Sequence, residues 1–431
     1  MPVLNEETFS QENNESYECD DILCHSYDDK ISKVAETDDS RRPAFAPQRI
    51  PLERRLQTLA VLWHTCTIPL ILSFFFICCS LPQLWPLMFV YFVFFFLNDR
   101  TPSNGNSVWR YSSTMRNLAI WKYFVNYFPI RIRKSVDLKP TFTTKQVSKE
   151  VFISPFGYLP RFLDPILAAL RIPKTQVWVS KQVKTGPRYI FAYHPHGIIS
   201  MGVTGAFATN GAGFEKLFPG IRVFLLTLNN QFRLPFYRDY LMSLGISSVS
   251  KHNVMSLVRQ NESVAIVVGG ASESLLAKPG KNDIVLKKRK GFVKIALELG
   301  DVSLVPIYGF GETNIYNVFE TSGNRGEVSD SFFLFRKALY SFQMWLKNRL
   351  GFTIPLFFAR GVFNYDFGLL PFRKPINIVV GSPVSIPFMP SPSQQQIDYY
   401  HDLYVKELKK LFDEHKSKYL LDGDAELRIV Q

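Results

Sequence analysis

Two of the chain's seven histidines stand two positions apart in "FAYHPHGIIS", where His194 and His196 bracket a proline and precede Gly197. They follow an apolar run, the signature of a strand ending in a functional turn. Such a pair can ligate a metal, sit satisfied in a core, or move a proton. Zinc would need further ligands, which Glu273 and Glu312 could supply. No other histidine lies within 50 residues of the pair, and no cysteine follows Cys79. Proton transfer suits the residue types better. A neutral imidazole can take a hydroxyl proton, and glycine lets backbone N–H groups approach a developing oxyanion.

The elements that must position these residues form an α/β pattern. Apolar, β-rich runs at 189–193, 221–228, 263–268, 303–310 and 376–380 alternate with helical stretches, and a final helix repeats Ile397, Tyr400, Tyr404, Leu408 and Leu411 after a cap at Ser391 or Ser393. Strands alternating with helices imply a mostly parallel sheet with flanking helices, whose functional groups gather at the strands' carboxyl ends. Three strand ends carry chemistry: the histidine pair, "GGASES" with Glu273, and "GE" with Glu312. After Glu273 comes a basic loop in which Lys278, Lys281, Lys287, Lys288, Arg289 and Lys290 face only Asp283, just before a helix. A solvated surface explains such a run, and so does phosphate binding beside a helix start.

Charge divides the chain. Residues 1–40 hold twelve acidic groups against Lys30 and Lys33, leaving 48 basic against 25 acidic residues in the rest, a net of +23. Residues 1–50 therefore read as an acidic, disordered cytosolic tail on a basic body that suits a polyanionic partner. No nucleic-acid-binding module is present, which argues against DNA or RNA. The five cysteines, an odd number without a secretory signal, fit a reducing compartment. Asn14 and Asn261 stand in N-x-S sequons, which carry no meaning on a cytosolic face.

From Leu56 to Asn98 there is no Lys, Arg, Asp or Glu. That is roughly twice the ~20 apolar residues one crossing needs. Pro82 and Pro86 break it near the middle, so residues 51–100 read as two apolar helices joined by a turn. Arginines flank both ends, so the hairpin enters and leaves on the cytosolic face, as full crossings or as a shallow loop. Residues 101–431 are left as the catalytic domain.

The ordered set "YHPHG", "RDYLMSLGISSVS", "VVGGASESL", "KKRKGF", "PIYGFGE", "ARGVFNYDFGLLPFRKPI" and "VVGSPV" resembles the type-2 diacylglycerol O-acyltransferase family, and "LERRLQTLAVLWHT" resembles its fungal members. The resemblance runs from about Pro51 to the C-terminus. It implies a glycerolipid-acyltransferase-like fold and transfer of a fatty acyl group from acyl-CoA, a substrate rather than a cofactor, to diacylglycerol. The product is triacylglycerol. A sister enzyme using monoacylglycerol or a long-chain alcohol would share the motifs. The resemblance also implies the endoplasmic reticulum membrane and the lipid-droplet surface as locations, no metal or redox cofactor, and leaves self-association open. His196, or else His194, is the expected base, with Gly197 at the oxyanion. Glu273, in the family's "GGAxE" pattern, is expected to orient the imidazole. Lys287, Lys288, Arg289 and Lys290 are expected to hold the coenzyme's phosphates. Distant relatives that acylate phosphorylated acceptors carry a His-x4-Asp pair and an arginine beside the glycine turn. This chain lacks both, which suits a neutral acceptor.

Overall fold

The computed structural model describes residues 45–47, 49–151, 153–154, 157–158, 175–318, 341, 343, 345, 355–420 and 423–430. The acidic segment 1–44 lies outside them. Two units are distinguished, 1–49 with 360–368 and 50–359 with 369–431. In the smaller, Phe45 bridges Asn364 and the Ala46 N–H donates to the Phe363 carbonyl.

The larger unit is built on an eight-stranded sheet. Its strands are β1 (Ile130–Lys134), β4 (Arg188–His194), β5 (Val223–Thr227), β6 (Ile246–Ser248), β7 (Ser263–Val267), β8 (Val302–Phe310), β9 (Ile376–Val380) and β10 (Val384–Ile386). A separate antiparallel pair, β2 (Phe142–Val151) and β3 (Thr175–Lys184), precedes β4. The spatial order is β1-β9-β8-β4-β7-β5-β6, with β10 also pairing β8. All neighbours on that path are parallel except β8 and β9, and β10 also runs antiparallel to β8. The expected mostly parallel sheet is present.

Every residue of β8 is buried, as a central strand covered on both faces requires. Alternation along β4 feeds two cores. Ile190 and Ala192 join Val254 and Leu257 of α4 (Lys251–Arg259), Phe292 and Ala296 of α5 (Gly291–Leu299), and Tyr404, Leu408 and Phe412 of α6 (Gln394–Tyr419). Phe191, on the other face, packs on Phe207 and Phe214. The last helix starts at Ser393 in a capping box. Its Oγ accepts from the Gln396 N–H, and Gln396 Oε1 accepts from the Ser393 N–H.

Ahead of the sheet, α1 (Leu52–Ser80) is one helix long and apolar enough to cross a membrane. A turn at Pro82–Leu84 leads to α2 (Trp85–Val90), which continues as a π-helix over Tyr91–Leu97. This second arm, Trp85–Leu97, rises only about 20 Å at 1.5 Å per residue, short of the roughly 30 Å hydrocarbon core. The ring of Phe92 lies 5.6 Å from that of Phe75.

Both arms are anchored at the same edge of the sheet. Arg373 donates to Gln57 Oε1, the Arg54 carbonyl and Thr58 Oγ1 at the start of α1. Phe236, at φ 59°, sets its ring against Phe74, Phe75 and Tyr91. Tyr91 donates to Asp239 Oδ2 at 2.8 Å and accepts the Phe236 N–H at 2.7 Å.

Candidate functional site

Strand order decides what surrounds the histidine pair. Because β4 lies between β8 and β7, with Tyr308 opposite His194 and Val267 opposite Tyr193, the turns that follow β8 and β7 flank the turn that follows β4. Glu312 comes from the first and Glu273 from the second. Between them the chain runs through a cis His194–Pro195 bond, His196 and Gly197 into the short helix α3 (Met201–Val203).

Both carboxylates are almost fully buried; Glu273 is spent on backbone N–H groups, and Glu312 on a backbone N–H and the Tyr193 hydroxyl. Glu273 accepts the His196 N–H on Oε1 and the Val285 N–H, at 2.8 Å, on Oε2. Glu312 Oε2 accepts the Tyr193 hydroxyl at 2.6 Å and the Gly202 N–H at 3.0 Å. Among the described residues no hydrogen bond joins either carboxylate to a histidine ring. Glu273 thus meets His196 through its backbone rather than its imidazole. Burial pushes each carboxyl up to about 7. Backbone donors pull against that rise, joined at Glu273 by the Arg289 charge and at Glu312 by the Tyr193 hydroxyl.

The clamp also explains Gly197. Its φ of +59° suits glycine, and a Cβ there would lie 2.9 Å from Glu312 Cγ.

The two histidines have different surroundings. His194 is fully buried, and its Nε2 lies 3.0 Å from the Tyr404 hydroxyl. That hydroxyl donates to the Ala192 carbonyl at 3.2 Å, so its oxygen is free to accept from Nε2–H. Burial, with His401 adding repulsion, lowers the His194 pKa to about 3, which keeps the ring neutral. His196 is half-buried, with Nδ1 3.1 Å from the Gly197 carbonyl. A carbonyl only accepts, so Nδ1 carries the hydrogen and Nε2 keeps a lone pair. Burial lowers this pKa too, opposed by the bond to Gly197. His196 is therefore neutral and has its basic nitrogen without a protein partner among the described residues.

The basic run divides. Arg289 Nη2 donates to the Gly269 carbonyl at 3.2 Å and lies 3.4 Å from Ser272 Oγ, which ties it to the glycine turn. Lys290 is ion-paired with Asp398 at 2.7 Å, at the start of α6. Lys287 and Lys288 are exposed and carry no ion pair among the described residues. The described residues contain no group of three His, Cys, Asp or Glu side chains placed for a metal.

Sequence reasoning missed the supports from the C-terminal helix. His401 donates toward the Leu286 carbonyl at 3.1 Å, and Tyr404 reaches His194. Tyr404 was legible only as one residue of an apolar stripe, and nothing in the local sequence marks His401.

The profile of the family described as Diacylglycerol acyltransferase matches residues 76–145 and 175–430. Diacylglycerol O-acyltransferase 1 of Eremothecium gossypii is 48% identical over 395 residues, covering 90% of this chain and 80% of that one. Diacylglycerol O-acyltransferase 1 of Saccharomyces cerevisiae is 45% identical over 401 residues, covering 93% and 92%. The 2-acylglycerol O-acyltransferase 1 of Bos taurus is 38% identical over 385 residues, covering 87% and 96%. No solved structure matches. The histidine turn and the glycine turn with its basic loop both fall within the residues that the family profile matches, and the chain belongs to the diacylglycerol acyltransferase family.

Proposed function

We propose that the protein transfers a fatty acyl group from acyl-CoA to the free hydroxyl of diacylglycerol, making triacylglycerol. One observation carries the chemistry: on a turn clamped between two buried carboxylates, His196 holds its hydrogen on Nδ1 and leaves Nε2 open. Nε2 takes the hydroxyl proton as the alkoxide oxygen attacks the thioester carbonyl. A C–O bond forms, and the charge moves onto the carbonyl oxygen. The Gly197 and Ile198 N–H groups, without internal hydrogen bonds among the described residues, serve as its donors. Collapse breaks the C–S bond, and the imidazolium returns its proton to the departing thiolate. Glu273 and Glu312 fix the loop's backbone rather than relaying a proton. His194 packs the loop onto the last helix through Tyr404.

The donor's phosphates fall to Lys287 and Lys288, with Arg289 holding the glycine turn beside them and Lys290 largely committed to Asp398. The apolar arms form a hairpin that enters and leaves the bilayer on the cytosolic side. They hold the site at the depth where a water-insoluble acceptor resides, in the endoplasmic reticulum membrane and on lipid droplets. Large exposed side chains along both arms support this, among them Phe74, Phe76, Leu87, Phe89, Phe94 and Leu97.

The bovine relative's name keeps a second acceptor, a monoacylglycerol, in view. Purified protein with labelled acyl-CoA and either diacylglycerol, monoacylglycerol or a long-chain alcohol separates the readings. The proposal expects preferred diacylglycerol use, and equal or better use of either rival acceptor overturns it.

A further inference from the structure

At the foot of the second arm lies a cleft of about 160 Å³, lined by Asp99, Arg100, Ser103, Asn229, Arg233 and Arg238 among others. Three arginines against one aspartate leave it with a net charge of +2. The four charges have different duties. Arg238 is buried, donates to the Phe96 and Asp99 carbonyls at 2.8 and 2.9 Å, and pairs with Asp99 Oδ2 at 3.1 Å. Arg110 approaches the same carboxylate at 3.6 Å. Asp99 is thus neutralised by residues that close the end of the arm. Arg100 and Arg233 are exposed, and among the described residues neither guanidinium makes a hydrogen bond or an ion pair. Arg100 and Arg233 thus bring two unengaged guanidiniums to the lining of the cleft, which Asn229 shares.

From this we infer that the cleft binds a phosphate monoester, and that the ligand is the headgroup of an anionic lipid. A guanidinium offers phosphate two parallel N–H donors, and a phosphate monoester carries about −1.5 to −2 at neutral pH, which matches the charge of the cleft. The cleft's position favours a lipid source. Arg100 lies three residues beyond Leu97, where the apolar arm ends, so the cleft sits at the height of bilayer phosphates if the arms are inserted. This step rests on the membrane reading above. Arg233 follows β5, a parallel strand of the sheet, so the cleft opens at the same edge as the histidine turn. A diacylglycerol phosphate fits the charge and the depth, and loss of its phosphate by hydrolysis yields the proposed acceptor. The cleft would let the enzyme register the supply of its own substrate's precursor.

The test uses full-length protein in detergent–phosphatidylcholine micelles, titrated with a fluorescent phosphatidate and challenged with unlabelled phosphatidate, inorganic phosphate or coenzyme A. Unlabelled phosphatidate is expected to displace the label. The double variant Arg100→Gln/Arg233→Gln is expected to lose about tenfold or more in affinity, with diacylglycerol acylation in phosphatidylcholine alone unchanged. Variant binding equal to wild type, or equal displacement by added phosphatidylcholine, overturns the site. Displacement by coenzyme A but not by phosphatidate overturns the lipid source. Carbonate extraction of the same protein tests the membrane reading by itself, and label binding in micelles is scored independently of that result.

Discussion

The edge of the sheet around β4 and the two apolar arms handle burial in opposite ways. At the edge, carboxyl groups are taken out of water and satisfied by backbone N–H groups and the Tyr193 hydroxyl. Along the arms, Phe76 and Phe94 are each 64% exposed and Trp85 60%. Leaving so much apolar surface in water would be costly at about 25 cal/mol per Å². The carboxyl groups of the edge find their partners within the protein, whereas the arms need a second solvent. Precision at the histidine turn and tolerance along the arms follow from that difference.

The sharpest way to break the comparison is at His196, where the expected effect is largest. His196→Ala is expected to cut acyl transfer by about 10²–10⁴, the range for a lost general base, with protein level and membrane fraction unchanged. His194→Ala is expected to lower both activity and protein level, because it leaves Tyr404 and a buried site unfilled. Equal turnover of His196→Ala and wild type, measured with labelled acyl-CoA, would remove the base from the mechanism.

Next comes the solvent of the arms. Phe94→Asp places a charge where the reading puts lipid, three residues inside the end of the arm, at a cost below the roughly 3 kcal/mol of an aspartate at mid-bilayer on an insertion scale. The expected result is a partial shift out of the carbonate-resistant fraction, while protein that is recovered in detergent keeps its activity. An unchanged distribution would return the arms to a role as covered core.

How much of this was legible in the sequence depends on whether a feature is local. Strands β4, β5, β7, β8 and β9 were visible because central strands are continuous apolar runs, and their limits moved by a residue or two at most. Strand β1, "IRIRK", was not, because alternating arginines read as surface, although its isoleucines are buried. The ten-residue strands β2 and β3 were hidden by the same polar alternation. Glu273 and Glu312 could be placed on one edge from strand ends alone. Their use could not, since a carboxylate holding backbone and one holding an imidazole look alike in a motif. The distinction between His194 and His196 rests on Tyr404, 210 residues away from His194, and no local pattern carries it.

The buried carboxyls supply the third prediction, on pH. In the fold each sits at about 7 against an ordinary 4.5, so the native state binds protons more tightly than the unfolded chain. Stability is therefore fully present below about pH 4.5 and falls as pH rises toward 7, by about 3 kcal/mol per group at most. Glu273→Gln removes one of the two groups and is expected to reduce that slope by roughly half. Thermal unfolding in detergent between these pH values measures it, and an unaltered slope would show that Glu273 is already ionised in the fold.

The smallest effect is expected at the basic loop, where the charges are most exposed. Arg289 and Lys290 have partners within the protein, so replacing them would disturb the glycine turn and the start of α6 as well as any bound phosphate. Lys287 and Lys288 allow a cleaner test. Lys287→Gln/Lys288→Gln is expected to raise the KM for acyl-CoA by a factor of about 3–5, because solvated ion pairs contribute only about 0–1 kcal/mol each. KM for diacylglycerol is expected to stay unchanged, and the difference between variant and wild type to shrink at high salt, where the Debye length falls to about 3 Å. A rise in both KM values would point to a general loss of structure. No change in either would leave these lysines as solubilising surface and transfer the search for the coenzyme's phosphate contacts to the N-terminal turn of α5, which begins immediately after them at Gly291.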